Sequence, residues 1–375
     1  MNYTFIESDQ ELAQVCAKLA QEPIIGVDLE ADSMHCFQEK ICLIQIATEE
    51  EAFLVDPFII SDFSEFSDIL QRDDIIKIFH GSDFDVRSID REMGVRIHNL
   101  FDSEIACRFL NVRERGLAAL LKEHFNVYVD KKFQKVDWSK RPLKEDMIAY
   151  SVEDVAHLVK LHGILMERLE KINRRHWAEE EFDAQSRVRY ENHHTLPLFK
   201  KFKGAGRMDN RSLAVLENLL QVRLKMAEKK DLPLFKIMSN QSIMTMATQR
   251  PSSTGEMVSI KALSKRQAGM YGKFCKAAIE QALDLPHKEL PSYPKTRMPR
   301  KTPVVQERIN QLKKMREKKS ESLGMEQGFL INNALIMAVA FANPGSMDEL
   351  AEIRPIRNWQ MECLGQDILK ALGHG

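Results

Sequence analysis

A chain of 375 residues, 44% hydrophobic and 29% charged, with 54 Lys and Arg against 55 Asp and Glu, is a globular sequence long enough for two or three domains, neither disordered nor fibrous. Its longest apolar run, Ala334 to Ala342, is far short of the roughly 20 residues a membrane helix needs, and its start has no basic stretch ahead of an apolar one, so a cytoplasmic protein with neither secretory leader nor membrane attachment is expected. Six cysteines, at 16, 36, 42, 107, 275 and 363, form no Cys-x-x-Cys pair and fit neither a disulfide framework nor a zinc site.

In chain order, the first hundred residues alternate short apolar runs with turns: PIIGVDLE, KICLIQIAT, EAFLVDP, IIKIFHG and VRIHNLFD. Each is strand-like in length and in its Ile, Val and Phe content. The links between the first three are mostly too short for crossover helices, which pairs them as an antiparallel meander. Between the fourth and fifth lies SDFDVRSIDREMG, with Phe84, Ile89 and Met93 at helical spacing and a terminal glycine. The prediction is an α/β N-terminal domain with a mixed sheet flanked by helices. Beyond Asp102 the pattern turns helical, through GLAALLKEHFN to one long amphipathic segment from Pro142 to about Ile172.

The basic KKFKGAGRMDN linker opens a second region, in which Arg211 to Leu283 reads as short helices. The Pro-rich DLPHKELPSYPKTRMPRKTP, extended by composition, opens a third. Laid on the second with an offset of 93, the third repeats Leu219/Leu312, Arg223/Arg316, Asn240/Asn333, Met244/Met337, Ala247/Ala340 and Pro251/Pro344 without a gap. Two copies of one helical module are therefore expected, each of about 70–80 residues. The expected division is residues 1–172, a basic helical linker at 173–207, modules at 208–284 and 304–375, and a connector at 285–303.

Asp28 and Glu30 stand two apart in VDLE, so on a strand both carboxylates project from one face. Such a pair is either a strand end emerging into solvent or a place for a divalent cation, because two like charges so close repel unless neutralised. In KIFHGSDFDV a strand runs into a helix that carries Asp83 and Asp85 in its first turns, where acidic residues also serve as helix starts. Tyr150 and Asp154 in AYSVEDVAHL are four apart and stack on one helix face, apolar enough that the carboxylate needs a partner. One strand and two helices thus deliver four carboxylates and a phenol.

Charge divides the chain. Residues 1–190 hold 24 Lys and Arg against 37 Asp and Glu, whereas residues 201–320 hold 26 against 10. Lys200, Lys201, Lys203, Arg207, Arg223, Lys225, Lys229 and Lys230 cluster near the first module, and Lys295, Arg297, Arg300 and Lys301 line the connector. Phosphate contacts of this kind hold a polyanion without reading its sequence; solvated helix faces are the alternative reading. The aromatic residues there, Phe199, Phe202, Phe235, Tyr271 and Phe274, read mostly as core rather than as base-stacking platforms.

In order and spacing, VDLE, FHGSDFDV and YSVED resemble the three exonuclease motifs of the tyrosine-containing branch of the DEDD superfamily. CLIQIAT, LFDSEIACRFL and WSKRPLKEDMIAYSVEDVAHL are similar to ribonuclease D and the exosome-associated nuclease of eukaryotes, over roughly residues 20–172. NRSLAVLENLLQVRLKMAEKKDLPLFKIMSN resembles the HRDC domain that follows the nuclease in those proteins, and the second copy completes the bacterial arrangement. The resemblance implies a ribonuclease H-like sheet followed by two all-α HRDC-like modules.

It further implies that Asp28, Glu30, Asp85 and Asp154 bind two divalent ions, Mg²⁺ or Mn²⁺, that Tyr150 positions the attacking water, and that RNA is hydrolysed from its 3′ end to 5′-mononucleotides. Asp85 is preferred to Asp83 because it keeps the family's distance from His80. After Glu30 stands Ala31-Asp32, where bacterial ribonuclease D commonly has Phe, which brings this chain nearer its eukaryotic relatives. Lys131 to Trp138 is read as a link over the active face, without a role. Transfer-RNA precursors are the expected substrate, acted on by a monomer without a nucleotide cofactor, no Walker-type loop being present. A DNA exonuclease and a non-catalytic RNA-binding scaffold stand as alternatives.

Overall fold

The computed structural model describes residues 1–32, 34–192, 195, 197–294 and 302–374, the side chains of Lys131 and Gln134 excepted. The basic residues Lys295, Arg297, Arg300 and Lys301 lie outside the described residues. Two compact units emerge, one of residues 1–30, 41–190 and 299–375, the other of residues 31–40 and 191–298.

In the first unit, β1 (Asn2–Ile6), α1 (Asp9–Leu19), β2 (Ile24–Ala31), β3 (Ile41–Ala47), β4 (Glu51–Val55), α2 (Ser64–Gln71), β5 (Ile76–Phe79), α3 (Asp83–Met93) and β6 (Leu100–Asp102) lead into the helices α4 (Ser103–Phe109), α5 (Leu117–Phe125), α6 (Glu145–Ala156), α7 (Leu158–Lys171) and α8 (Arg175–Ser186). The sheet runs β1-β4-β3-β2-β5-β6. β3 and β4 are antiparallel, with Ile44 opposite Val55 and Ala47 opposite Ala52. β1 lies parallel to β4, β2 to β5 and β5 to β6. This is the expected mixed sheet, with β1 added at its edge. NYTFI escapes a pattern reading because an edge strand need bury little, and here only Ile6 is fully covered. Every residue of β3 is buried, so both its faces are packed. α6 lies over β3 and β4, and α7 over β5. The single helix expected between Pro142 and Ile172 is these two, broken at His157, whose ring stacks on Phe125 at 4.9 Å. The apolar stripe continues across the break, so periodicity alone does not disclose it.

The second unit is helical: α9 (Asn210–Lys230), α10 (Leu234–Ile237), α11 (Asn240–Gln249), α12 (Thr254–Ser259) and α13 (Lys265–Asp284) surround a core of their own. Only the middle three are short. α9 and α13 run to 21 and 20 residues, and the Glu-Lys-Lys turn after Ala227, of high helix propensity, carries α9 past its last buried residue. Residues 31–40 join this unit: Phe37 packs against its core and donates its N–H to Asp231 Oδ1 at 3.0 Å.

The third region carries α14 (Pro303–Leu323), α15 (Gln327–Leu330), α16 (Asn333–Ala342), α17 (Met347–Ala351) and α18 (Asn358–Leu372). Each begins 93 residues after its counterpart among α9 to α13. The copies share internal bonds as well as lengths. Arg223 donates to Met238 O and Asn240 Oδ1 at 3.2 and 2.7 Å, and Arg316 donates to Ile331 O and Asn333 Oδ1 at 3.1 and 3.0 Å. Gln267 donates to Ile237 O as Gln360 does to Leu330 O.

This second copy is part of the nuclease's own unit. The rings of Phe329 and Trp359 sit 4.8 and 5.2 Å from Phe109, and Trp359 stands 5.9 Å from Trp177. The Glu180 carboxylate accepts the Asn358 and Trp359 N–H groups, both at 2.8 Å, and so satisfies two unpaired donors at the start of α18. Arg174 bridges Phe109 O and Leu323 O.

Arg223 is thus buried and committed to its own module, which removes it from the phosphate-contacting set expected from sequence. Burial lowers its pKa to about 10, still charged at neutral pH. Arg223→Met is expected to lower stability to urea by about 1.5–3 kcal/mol, the usual loss when a charged hydrogen-bonding group leaves buried partners unsatisfied. Wild-type stability combined with weakened RNA binding would assign the residue to the substrate instead.

Candidate active site

Along β2, Ile25, Val27 and Leu29 point into the core, so Gly26, Asp28 and Glu30 share the opposite face. That face meets the junction of α6 and α7. A Cβ at Gly26 would stand 3.0 Å from Leu158 Cβ and 3.4 Å from Val155 O, tight enough that a larger residue would push the helices back by a few tenths of an ångström. The approach brings Asp154, on α6, toward Asp28.

Asp85 enters from α3. The helix is set by Asp102, almost fully buried at the end of β6, which accepts the N–H groups of Gly81 and Ser82 at 3.0 and 2.7 Å and the Ser82 hydroxyl at 2.7 Å. The same carboxylate accepts from Glu104 N and Ile105 N, capping α4. Gly81, at φ +71°, makes the left-handed turn between strand and helix. With α3 so oriented, Asp85 is 6% exposed, whereas Asp83 reaches outward to pair with Arg87 at 3.0 Å. Asp85 is the motif's inward carboxylate.

Asp28 and Glu30 are half-buried, and Asp154 is 6% exposed like Asp85. Among the described residues, no lysine, arginine or histidine forms an ion pair with any of the four. Burial, then mutual repulsion, raises their pKa values. Glu30 is pushed up to about 10, by desolvation first and then by Asp28, Asp154 and Asp85. Asp85 and Asp154 are raised by burial and by Asp28, and Asp28 by burial. Glu30 therefore lies within electrostatic reach of the other three, and Asp28 within reach of Asp85 and Asp154. Tyr150 hydrogen-bonds Asp154 from four residues away, and burial with these carboxylates lifts its phenol far above its ordinary value, so it is a neutral O–H donor. Phe133 and Trp138 pack on the Tyr150 ring at 5.2 and 6.1 Å.

An all-oxygen, unneutralised set suits a hard divalent cation such as Mg²⁺ or Mn²⁺ and not Zn²⁺. Among the described residues, no three acidic, His or Cys side chains already stand at chelating distance.

A model of the 3′-5′ exonuclease family matches residues 3–170, and one of the HRDC domain matches at 212–279 and 305–372. Ribonuclease D of Nitrobacter hamburgensis is 26% identical over 373 residues, 99% of this chain and 95% of that one. The crystal structure of Escherichia coli ribonuclease D superposes with a TM-score of 0.78 at 25% identity, covering 100% of this chain and 99% of that one. The chain thus carries a 3′-5′ exonuclease domain followed by two HRDC domains and is similar over its full length to ribonuclease D. It is also 37% identical to the exosome complex component 10 homolog of Caenorhabditis elegans over 169 residues, 45% of this chain and 19% of that one. Ribonuclease D proteins act on RNA, the wider nuclease family uses divalent metal ions, and HRDC domains bind nucleic acid.

Of the basic residues singled out in sequence, Lys200, Lys201, Lys203, Arg207, Lys225, Lys229 and Lys230 are exposed. Lys230 is drawn over the Tyr271 ring at 4.9 Å, and Lys201 reaches Glu191 at 3.8 Å. Phe199, Phe202 and Tyr271 are core, as expected, but Phe235 and Phe274 are exposed. Sequence reasoning passed over Gly26 and Asp102. Asp102 had a signal, since an Asp immediately ahead of Ser-Glu and an apolar helix is an N-cap pattern. Gly26 had none short of the packed structure. No helix among the described residues is long and apolar enough to cross a membrane.

The raised carboxylate values fix a sign. Folded Glu30 keeps a proton that the unfolded chain, near its ordinary 4.5, has released, so its contribution to stability is full below that value and is lost as pH rises toward 10. In chelator, the thermal midpoint of Glu30→Gln should therefore exceed that of the wild type by a margin that grows between about pH 5 and 9. A margin that stays constant or shrinks would show that Glu30 is not held among other acids.

Proposed function

We propose that the protein is a 3′-to-5′ exoribonuclease that hydrolyses the terminal phosphodiester of structured RNA and releases 5′-mononucleotides. The reading is carried by one observation: four carboxylates and a phenol, each acting electrostatically on others of the set, come together from β2, α3 and α6, with no cationic side chain among the described residues paired to the carboxylates. Asp28, Glu30, Asp85 and Asp154 are the proposed ligands of a pair of Mg²⁺ or Mn²⁺ ions, in one-to-four order along the chain. Bound there, divalent ions supply Lewis acidity toward phosphate oxygens and lower the pKa of water. Tyr150, a neutral donor braced by Phe133 and Trp138, orients the attacking water; a phenol whose pKa is raised does not serve as its base. The structured-RNA class is supported by the relative described as an exoribonuclease involved in structured RNA processing. Transfer-RNA precursors are the first substrate to try.

The first HRDC module is the proposed RNA grip. Where the second module places Phe329 and Trp359 against nuclease rings, the corresponding positions of the first are Lys236 and Arg266, both exposed, with Phe235 and Phe274 exposed as well. Lys200, Lys201, Lys203, Arg207, Lys225, Lys229 and Lys230 complete the set. Cations interleaved with exposed rings suit single-stranded nucleic acid, phosphates on the former and bases on the latter.

A 5′-labelled structured RNA incubated with Mg²⁺, Mn²⁺ or chelator tests the assignment, beside a matched DNA. The wild type should release mononucleotides from the RNA only with metal. Asp28→Asn should lose about a thousandfold or more of that rate, with its circular dichroism unchanged. Undiminished trimming by Asp28→Asn contradicts the site, and equal or faster trimming of DNA contradicts the substrate class.

A further inference from the structure

The nuclease's first unit has a problem of its own. A polyanion must bring its last phosphate to a cluster of acids within a half-chain that is already acidic, 24 basic residues against 37 acidic through residue 190. Exposed charges are screened beyond about 8–10 Å at physiological salt, so only cations near the bound strand count. The nuclease's own unit has to supply some of that positive charge.

One segment provides it. Between α5 and α6, residues 127–144 (VYVDKKFQKVDWSKRPLK) hold six of the 24 basic residues and only two acids. The segment is a strap with two sides. Its inner side is apolar: Phe133 and Trp138 are buried, Val136 and Leu143 are half-buried, and the two rings lie against Tyr150. Trp138 Nε1 donates to Phe133 O at 3.3 Å, tying the two anchors together. Arg141 clamps the far end to the sheet, donating to the buried Asp56 carboxylate beyond β4 and to Cys42 O on β3, while its third contact returns to Trp138 O at 2.9 Å. The outer side carries Lys132, Lys135, Lys140 and Lys144, all exposed. Lys132 pairs with the exposed Asp130 at 3.3 Å and lies over the Phe133 ring at 4.7 Å, and Lys140 pairs with the neighbouring Asp137 at 3.4 Å; such surface pairs are worth little in water and are readily given up to a phosphate.

We propose that this strap is the substrate-holding surface of the nuclease itself: Lys132, Lys135, Lys140 and Lys144 take the backbone phosphates of the single-stranded 3′ end just upstream of the scissile bond, while Phe133 and Trp138 hold the tyrosine beneath. The one segment then joins binding to chemistry. The amino groups face solvent and can follow a flexible strand, whereas the inner rings and the Arg141 clamp keep the strap fixed on Tyr150. Contacts of lysine with phosphate carry no base preference, as a trimming enzyme that removes every nucleotide in turn requires.

The inference rests on the exonuclease reading, and the experiment separates the two. In the full chain, the combined variant Lys132→Ala, Lys135→Ala, Lys140→Ala, Lys144→Ala is compared with the wild type on a short single-stranded RNA across a salt series. The expected result is a KM raised about tenfold, a kcat within about twofold of wild type, and a salt slope of log kcat/KM flatter by two to three, about 0.7 for each lost phosphate contact. The charge reversals Lys132→Glu and Lys135→Glu should raise KM further in the same direction. In contrast, Phe133→Leu on the inner side should lower kcat and leave KM near wild type. Wild-type turnover with unchanged KM and salt slope in the lysine variants overturns the strap alone. Loss of kcat without change in KM in those variants also overturns it, by assigning the lysines to the support of Tyr150. Absence of metal-dependent turnover in the wild type overturns the reading beneath it as well.

Discussion

Like charges driven together inside a protein are the most demanding thing a fold can be asked to hold, and here four carboxylates are held with none of the described cationic side chains paired to them. Much of the first unit can be understood as the apparatus that does so. β2 lies inside the sheet and sets two acids in register on one face. Gly26 removes the one side chain that would hold the α6–α7 junction away, and Asp102 stitches the starts of α3 and α4 into one frame. The resulting protons, retained well above the ordinary carboxylate range, are the signature of charge awaiting neutralisation. Structural ion pairs would leave the opposite signature, lowered values beside an arginine, as at Glu104 beside Arg108 and Arg115.

The duplicated module shows how one framework takes two employments. The shared hydrogen-bonding arginine, the shared glutamine and the matching helix starts keep both copies in one conformation. Their outer faces have parted. In the second copy, rings and a glutamate-capped helix start have sealed the module to the nuclease, so that it enlarges the core around Phe109 and Trp177. In the first copy, the same positions stay basic and open. A module that keeps an open basic face and one that braces the enzyme need differ by only a few side chains on that face.

How much of this could be read without coordinates depends on how local the physics is. Asp28 with Glu30, and Tyr150 with Asp154, follow from the periods of strand and helix, and the repeat follows from counting. The choice between Asp83 and Asp85 is decided by which way α3 is turned, and that depends on Asp102, 17 residues beyond Asp85 and buried under a different element. Arg223 looks in sequence like any lysine-rich neighbour; only the carbonyl it meets from Met238 marks it as internal. β1 is too exposed to alternate, and the break at His157 keeps its apolar stripe. Residues 31–40 sit in sequence between β2 and β3 yet pack with α9 to α13, a long-range partnership no window could contain. Phe235 and Phe274 mislead in the opposite sense, being apolar residues left at the surface.

The central claim is that the four acids share protons which a divalent cation displaces. Calorimetric titration of Mn²⁺ into the intact chain near pH 7, in two buffers of different ionisation enthalpy, reads both binding and the protons released by it. The account predicts saturable binding accompanied by net proton release that increases as the pH is lowered toward 6, and its loss in Asp28→Asn. Binding without proton release, or binding equally strong in Asp28→Asn, would contradict it.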